Sequence, residues 1–299
     1  MDILRIEGLE KRFGEKQVLC GLDLAVPEHS IFGFIGRNGA GKTTTMRAVL
    51  GLLKPDAGEI LVAGEKVIYG QTPTNRHVGY LPDVPAFYSF MTAREYLRLC
   101  GESLQIPRDE IQARSEELLT LVGLADEKHR IKGFSRGMKQ RLGIAQALLG
   151  RPRLLICDEP TSALDPIGRK EILDLLLSVR EQTTVLFSTH ILSDVERICT
   201  DVALLHDGKI AMQGSVESIK RAHKCEEFVL EMCTPDATAQ VAEAFADCCR
   251  AEGDALVFWG GEELMQRVLT FLLERSLPLG RIERKDPTLE SLFVEVTGK

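Results

Sequence analysis

A glycine-rich segment near the amino terminus has the residue types that bind phosphate groups. Residues 36–44 read GRNGAGKTT, which fits the pattern G-x-x-x-x-G-K-[S/T] between a predicted strand and a predicted helix. In that setting backbone N–H groups and the positive end of the helix face nucleotide phosphates. The lysine neutralises the β- and γ-phosphates, and the next hydroxyl is a ligand for Mg²⁺. The predicted phosphate-binding residues are Gly36, Arg37, Asn38, Gly39, Ala40, Gly41, Lys42, Thr43 and Thr44.

Two carboxylates follow a second apolar stretch. Asp158 and Glu159 come directly after the residues LLIC at 154–157. Asp158 is expected to accept hydrogen bonds from the waters around Mg²⁺, and Glu159 to act as the general base for the attacking water. Two carboxylates at the start of a loop are by themselves equally consistent with a solvated turn. Combined with the phosphate loop, they predict a site that hydrolyses a nucleotide.

Two further polar residues have both a structural and a functional interpretation. Ser135 precedes a helical stripe of apolar residues, so it is a good helix N-cap, and taken alone that explanation suffices. His190 follows a third apolar stretch, residues 184–187, where a histidine is often structural. Its position relative to the carboxylates favours a role beside the γ-phosphate, in which the imidazole contacts the phosphate or holds the attacking water.

The elements that must hold these residues alternate along the chain. Apolar strands at 31–35, 154–157 and 184–187 are separated by amphipathic helices up to about residue 220, which predicts a mostly parallel sheet covered by helices. Residues 1–26 and 58–70 predict an added antiparallel β-layer, and residues 92–133 are predicted to be mostly helical. In the last part, strands are predicted at 226–232, 255–259 and 279–284 and helices at 236–250, 262–275 and 288–296, which indicates a small α+β domain.

Composition narrows the class of protein. The 299 residues include 37 Lys+Arg and 44 Asp+Glu, for a net charge of −7, which argues against a dedicated nucleic-acid-binding protein. No apolar run approaches the ~20 residues that span a bilayer. The amino-terminal residues also lack the pattern of a secretory signal, so a cytoplasmic location is expected. The eight cysteines include no C-x-x-C pair, which gives no support to a zinc or dithiol site.

Taken together and in this order, the motifs resemble the nucleotide-binding subunit of an ABC (ATP-binding cassette) transporter over residues 1 to about 220. Residues 134–140, FSRGMKQ, are similar to the family signature L-S-G-G-Q, and residues 162–165, SALD, match the D-loop. His190 falls at the switch histidine, and Phe13 at the aromatic residue that stacks on adenine. The signature residues that act on a second cassette are then Ser135, Arg136, Gly137 and Met138, and the D-loop residues are Ser162, Ala163, Leu164 and Asp165.

The resemblance implies a P-loop NTPase fold in the α/β class. A RecA-like parallel-sheet core, an antiparallel β-subdomain and a helical subdomain at about 92–150 form a cassette over residues 1–222. A C-terminal accessory α+β domain occupies residues 225–299. The implied cofactors are ATP and Mg²⁺. The implied catalytic residues are Lys42, Glu159 and His190, and the implied metal ligands are Thr43, Asp83 and Asp158.

Asp83 is a departure from the family, which has glutamine at this place in the Q-loop. A carboxylate binds metal or water but donates no amide hydrogen bond, so the departure bears on permease signalling more than on ATP binding. The signature variant and the closing motif at 286–293 resemble the branch that exports drugs, antibiotics or ions through a separate permease chain. The segment Tyr80–Tyr88 is the candidate permease contact.

The expected function is therefore that of an ATP-hydrolysing subunit that powers export. Its partners are a second cassette, identical or related, and an integral-membrane permease that holds it at the cytoplasmic face of the membrane. An importer subunit shares every residue of the ATP site and remains an alternative. A cassette protein that acts on the ribosome or on DNA is disfavoured by the single phosphate loop, the absence of a heptad insert and the acidic charge.

Overall fold

The structure is a computed structural model that describes residues 1–71, 73–222, 227–253, 255–284 and 288–297. The chain forms two compact units, Met1–Val216 and Glu217–Lys299. The division between the units falls in the first turn of the helix Val216–Ala222. The sequence predicts the boundary at 222–225. Residues 223–226 lie outside the described part of the chain. Within the described part, no helix is long and apolar enough to cross a lipid bilayer.

Among the residues that the structure describes, the first unit contains ten strands and most of the α-helices. Its strands are β1 (Asp2–Phe13), β2 (Lys16–Pro27), β3 (Ile31–Ile35), β4 (Ala57–Val62), β5 (Glu65–Lys66), β6 (Val78–Leu81), β7 (Leu154–Asp158), β8 (Thr184–Thr189), β9 (Asp201–His206) and β10 (Lys209–Ser215). Its helices are α1 (Lys42–Val49), α2 (Ala93–Ser103), α3 (Arg108–Leu121), α4 (Arg136–Leu148), α5 (Pro166–Ser178) and α6 (Leu192–Ile198), and α7 (Val216–Ala222) follows.

A six-stranded sheet in the order β10-β9-β3-β8-β7-β6 forms the core. Strands β9, β3, β8, β7 and β6 are parallel, and β10 pairs with β9 in the antiparallel sense. Every residue of β3, β7 and β8 is buried, as expected for strands covered on both faces. The predicted parallel core is thus confirmed. Strand β8 runs on through Ser188 and Thr189, two residues further than the apolar pattern indicates.

A second sheet, in the order β2-β1-β4-β5, is antiparallel and confirms the predicted β-layer. Its buried side chains alternate along the strands, as in β1, where Leu4 and Ile6 point inward and Arg5 points to solvent. These inward residues belong to the same apolar cluster as Phe32 and Phe34 of the core sheet. The two sheets of the cassette therefore share one core.

Helices α2, α3 and α4 form the predicted helical region. Helix α2 begins with a capping box, in which Thr92 Oγ1 accepts from the Glu95 N–H and the Glu95 carboxylate accepts from the Thr92 N–H. Helix α4 packs against the edge strand β6 so closely that a Cβ at Gly79 would lie 2.2 Å from the Ala147 carbonyl oxygen. This contact fixes the helix that carries the signature residues against the core sheet.

The second unit is an α+β sandwich, as predicted. Its elements are β11 (Glu227–Met232), α8 (Pro235–Ala244), β12 (Cys249–Glu252), β13 (Ala255–Trp259), α9 (Gly261–Glu274), β14 (Leu279–Arg284) and α10 (Leu289–Thr297). The strands form an antiparallel sheet in the order β12-β13-β11-β14. This is the ferredoxin-like βαββαβ arrangement. Of the predicted closing motif, residues 286 and 287 lie outside the described residues.

One predicted element of this unit is wrong at its end. The helix predicted over 236–250 stops at Ala244, and residues 249–252 form strand β12. The chain turns between them, with the Cys248 N–H donating to the Phe245 carbonyl. Cys249 packs into the apolar cluster of this unit, and the next three residues are exposed. Pairing with β13 determines this placement, and the local helical periodicity does not predict it.

The contact between α4 and β6 predicts a large stability effect at one glycine. Gly79→Ala would place a methyl group against backbone that cannot move aside, so we expect a loss of about 1–3 kcal/mol of unfolding free energy. Gly133→Ala is the matched control, because a Cβ at Gly133 meets nothing within 4 Å. Equal midpoints for the two variants in chemical denaturation would contradict the close packing.

Candidate functional site

The predicted phosphate-binding segment, residues 36–44, connects β3 to α1 at the carboxyl edge of the core sheet. Gly41 caps the helix with φ +116°, a conformation open to glycine, and a Cβ there would lie 2.8 Å from Leu19 Cδ2. Lys42 is the first residue of α1. Arg37, Asn38 and Gly39 are exposed at the tip of the loop. The loop thus exposes its tip next to the N-terminus of α1, an arrangement that suits a polyphosphate.

The side chain of Lys42 is buried and closes back over this loop. Its Nζ donates to the Gly36 carbonyl at 2.6 Å and to the Arg37 carbonyl at 3.4 Å. The same Nζ lies 3.1 Å from Glu159 Oε1, in an ion pair whose two side chains are 6% and 14% exposed. The lysine charge therefore already has a negatively charged partner at the predicted position of the phosphates.

Asp158 ends β7, and its buried carboxylate accepts two hydroxyl hydrogen bonds. Thr43 Oγ1 donates to Oδ2 at 2.8 Å, and Ser188 Oγ donates to Oδ1 at 2.7 Å. Burial raises the pKa of the neighbouring Cys157 thiol and raises the pKa of Tyr80 to about 12. Asp158 and Thr43 thus offer hard oxygen donors side by side, and this donor set fits Mg²⁺, which is commonly held by one or two carboxylates together with substrate phosphates.

Glu159 begins the loop after β7 and lies between two nitrogen groups. Its backbone has φ +48°, the left-handed region that a residue with a side chain seldom adopts. Its Oε1 faces Lys42, and its Oε2 lies 2.9 Å from His190 Nδ1. His190 follows β8 and is 45% exposed. The Glu159 carboxylate can accept a proton. The His190 imidazole, which is within hydrogen-bonding distance, can orient this carboxylate.

A second polar cluster joins three segments that are far apart in sequence. Ser162 Oγ donates to Asp83 Oδ1 at 2.5 Å, and Arg136 Nη2 lies 3.3 Å from that hydroxyl and 3.5 Å from the same Asp83 oxygen. Gln140 Nε2 donates to the Asp83 and Pro160 carbonyls, both at 3.2 Å. The Asp83 carboxylate is therefore engaged by the D-loop and the signature. Its predicted place among the metal ligands stays a prediction.

The remaining predicted residues sit at the ends of elements. Ser135 caps α4 and accepts from the Met138 N–H at 3.2 Å, and Asp165 caps α5 and accepts from the Gly168 N–H at 3.1 Å. Between Ser162 and Asp165, the D-loop residue Ala163 has φ +52° and Leu164 lies near the signature, with Cδ2 4.0 Å from a Cβ built on Gly137. Phe13 ends β1 and is 49% exposed, which leaves ring surface for a planar ligand.

The structure adds two residues that the sequence reasoning did not assign. Ser188 binds both Asp158 and Glu159, and Gln140 joins the Asp83 segment to Pro160, two residues before the D-loop. Both side chains are fully buried polar groups. The signal available in the sequence was a serine that directly follows an apolar strand beside His190, and a glutamine on the buried face of a helix.

Comparison with known proteins gives one consistent result. The family profile described as ABC transporter matches residues 19–162. The chain is 36% identical to the uncharacterized ABC transporter ATP-binding protein YxlF of Bacillus subtilis, over 98% of this chain and 99% of that protein. It is 40% identical to the bacitracin transport ATP-binding protein BcrA of Bacillus licheniformis, over 74% of this chain and 72% of that protein.

Solved structures agree with these relatives. One described as the ATP binding subunit of an ABC transporter has a TM-score of 0.65 and 32% identity, and the match covers 74% of this chain and 92% of that one. The cbiO1 protein of Clostridium perfringens, part of the ABC transporter complex cbiONQ, has a TM-score of 0.66 and 27% identity over 74% of this chain and 94% of its own. The chain belongs to the ABC transporter family as an ATP-binding subunit, and its cassette binds and hydrolyses ATP.

Proposed function

We propose that the cassette pairs head to tail with a second copy or a related cassette, and that MgATP hydrolysis in the pair drives export through a separate membrane permease. The observation that carries the ATP part is the contact of Glu159 with both Lys42 and His190 beside the phosphate loop. The proposed base Glu159, the Lys42 ammonium group that would neutralise phosphate charge and the His190 imidazole thus lie together at one edge of the sheet.

The pairing is supported by the position of the signature. Ser135 and Arg136 are exposed at the N-terminus of the 13-residue helix α4, where the positive end of the helix dipole and a guanidinium suit an anion. One chain carries one phosphate loop and one signature. Two copies related by a twofold axis would each complete the other's site, which yields two identical sites.

Each residue of the site then has a distinct task. Lys42 leaves Glu159 for the β- and γ-phosphates, and Glu159 accepts the proton of the attacking water. His190 holds the freed Glu159 carboxylate or contacts the γ-phosphate, and Phe13 stacks on the adenine. Thr43 and Asp158 hold Mg²⁺, with Asp83 as the third predicted ligand; when bound, the ion neutralises charge on the phosphates.

The permease contact is supported by an exposed apolar segment directly after Asp83. Val84, Tyr88 and Phe90 are 68%, 56% and 62% exposed, and the two aromatic rings lie 5.9 Å apart. Neighbouring exposed apolar side chains of this kind mark interaction surfaces. Because Asp83 is bonded to Ser162 and Arg136, a partner docked on this segment would be connected to the D-loop and the signature.

The direction of transport rests on the relatives. Two of them, from Bacillus licheniformis and Enterococcus faecalis, are named for bacitracin transport. An antibiotic is cargo that a cell benefits from expelling, which favours export over import. In this proposal the subunit is peripheral, held at the cytoplasmic face of the membrane by the permease, and it binds no nucleic acid.

A capture experiment tests the partner. Tagged Glu159→Gln protein is expressed in the native host and loaded with MgATP, and gently solubilised membranes are searched for bound proteins. We expect a membrane protein with several spans, absent when nucleotide and Mg²⁺ are withheld. Recovery of ribosomes or DNA without a membrane protein would overturn the transporter part of the proposal.

Glu159→Gln should also separate binding from turnover. The amide keeps the shape of the side chain but accepts no proton, so we expect the ATPase rate to fall by roughly 10²–10⁴-fold while MgATP binding persists. Glu181→Gln, which removes a carboxylate on the exposed surface, is the matched control and should leave the rate unchanged. A normal rate for Glu159→Gln in a phosphate-release assay would refute the assignment of the base.

Tyr88→Ala should weaken the permease contact and leave MgATP binding near normal, because the ring is exposed and its ring contact is with Phe90 and not with the phosphate loop. Leu273→Ala removes an even more exposed apolar side chain from the second unit and serves as the control. The same loss is expected for Phe87→Ala, although that ring also packs edge-on against Tyr96 at 5.0 Å. Unchanged co-purification of the Tyr88 variant with the permease would count against the docking surface.

Asp83→Gln should retain ATP binding and at least part of the turnover. The glutamine amide oxygen still accepts the hydrogen bond of Ser162, although the ion pair with Arg136 is lost. A nucleotide titration and an ATPase assay measure the two effects separately. Complete loss of binding in the titration would show that Asp83 holds the nucleotide site together.

A further inference from the structure

We propose that Ser188 is a positioning residue for both carboxylates of the ATP site: its one hydroxyl orients Asp158 and holds the backbone of Glu159. The inference rests on the proposed function, in which Asp158 serves Mg²⁺ and Glu159 is the general base. It assigns a task to a side chain that lies outside the motifs described above and whose hydroxyl bonds to Asp158 and Glu159.

The hydroxyl makes both of its bonds to the two residues concerned. Ser188 Oγ donates to Asp158 Oδ1 at 2.7 Å and accepts from the Glu159 N–H at 3.0 Å. Its side chain is completely buried. A hydroxyl has one hydrogen to donate and lone pairs to accept with, so these bonds use its donor and one acceptor direction at once. An alanine at this position would leave a buried carboxylate oxygen and a backbone N–H without this partner.

The sheet fixes where this hydroxyl lies. Strand β8 runs between β3 and β7, and the parallel register sets Ser188 opposite both Phe34 and Asp158. A central strand paired on both sides has little freedom to shift. The serine is therefore a rigid reference point at the carboxyl edge, directly beside the end of β7.

The bond to Glu159 acts on a strained backbone. A residue with a side chain at φ +48° is disfavoured and persists only where its surroundings hold it. The N–H of Glu159 is held by Ser188, and its carbonyl accepts from the Ser162 N–H at 3.0 Å. These two bonds keep the side chain directed between Lys42 and His190. Loss of the first would let the general base leave the position in which it faces the phosphate loop.

Because Ser188 bonds to one oxygen of the Asp158 carboxylate, the two oxygens have different partners. Oδ1 is engaged by Ser188, so the plane of the carboxylate is set and Oδ2 is directed at Thr43. Thr43 is the predicted hydroxyl ligand of Mg²⁺, so this orientation bears on metal affinity. Partners of this kind, which bind a metal site's residues but not the metal, typically alter metal affinity or activity by ~10–100-fold when removed.

The test compares Ser188→Ala with Ser188→Thr, which keeps a hydroxyl on a strand-compatible side chain. Ser30→Ala is the matched control: Ser30 is also buried in the same unit, and its hydroxyl donates to the Pro27 carbonyl. For each protein we would measure thermal unfolding, ATP affinity in EDTA, Mn²⁺ binding by electron paramagnetic resonance with ATP present, and the Mg²⁺ dependence of the ATPase rate.

For Ser188→Ala we expect unchanged ATP affinity in EDTA, with Mn²⁺ affinity and ATPase rate lowered by ~10–100-fold. Ser188→Thr should recover most of both, and Ser30→Ala should at most lower the unfolding temperature. If the alanine variant does not fold, Ser188→Cys replaces it, since the thiol is only a weak donor and the same loss is expected.

Two results would overturn the inference. One is a Ser188→Ala protein with the metal affinity and rate of the wild type. The other is equal loss in the alanine and threonine variants, which would assign the effect to packing instead of to the hydroxyl. Failure of the proposed function is distinguishable from both, because Glu159→Gln would then hydrolyse ATP at the normal rate.

Discussion

Parallel pairing of β3, β8 and β7 is the constraint on which the site depends. Because the three strands run in the same direction side by side, they all end at one edge of the sheet. The phosphate loop, the segment at His190 and the two carboxylates leave from that edge within reach of one another. Helices cover both faces of such a sheet, so ligands meet it at the carboxyl ends of its strands. Even Thr43 and Asp158, 115 residues apart in the chain, are brought to 2.8 Å in this way.

Groups of site residues that are neighbours in the sequence could be predicted from it. Hydrogen bonds between residues that are far apart in the sequence could not. The phosphate loop and the carboxylate pair depend on neighbouring residue types, and apolar runs located β3, β7 and most of β8. In contrast, Ser162 meets Asp83 across 79 residues, and Ser188 meets Asp158 across 30, by routes that only the strand order defines. The helix predicted over 236–250 failed for a related reason, since pairing with β13, and not the local period, decides that 249–252 is a strand.

The polar cluster of Asp83, Arg136 and Ser162 could couple the proposed permease contact to the ATP site through hydrogen bonds. Arg136 begins the signature helix, Ser162 begins the D-loop, and Asp83 precedes the exposed apolar segment. In the proposed dimer a guanidinium drawn to the partner's phosphates would leave Ser162 and Asp83, and their hydrogen bond would lose a charged neighbour. Since the Ser162 N–H donates to the Glu159 carbonyl, that change would begin three residues from the proposed general base. Coupling would thus pass through the hydrogen bonds and the ion pair of this cluster, and it would need no deformation of the sheet.

The ion pair of Lys42 and Glu159 gives a reason why Glu159, the proposed general base, would be idle without substrate. A buried ammonium group needs a negative partner, and at 6% exposure Lys42 has little access to water as a substitute. Phosphates carry more negative charge than one carboxylate, so at the proposed position in the loop they would compete for Lys42 with an advantage. Glu159 then keeps only His190 as a close partner and becomes free to accept a proton. In the proposed cycle the same binding event therefore neutralises the phosphates and releases the base that attacks them through water.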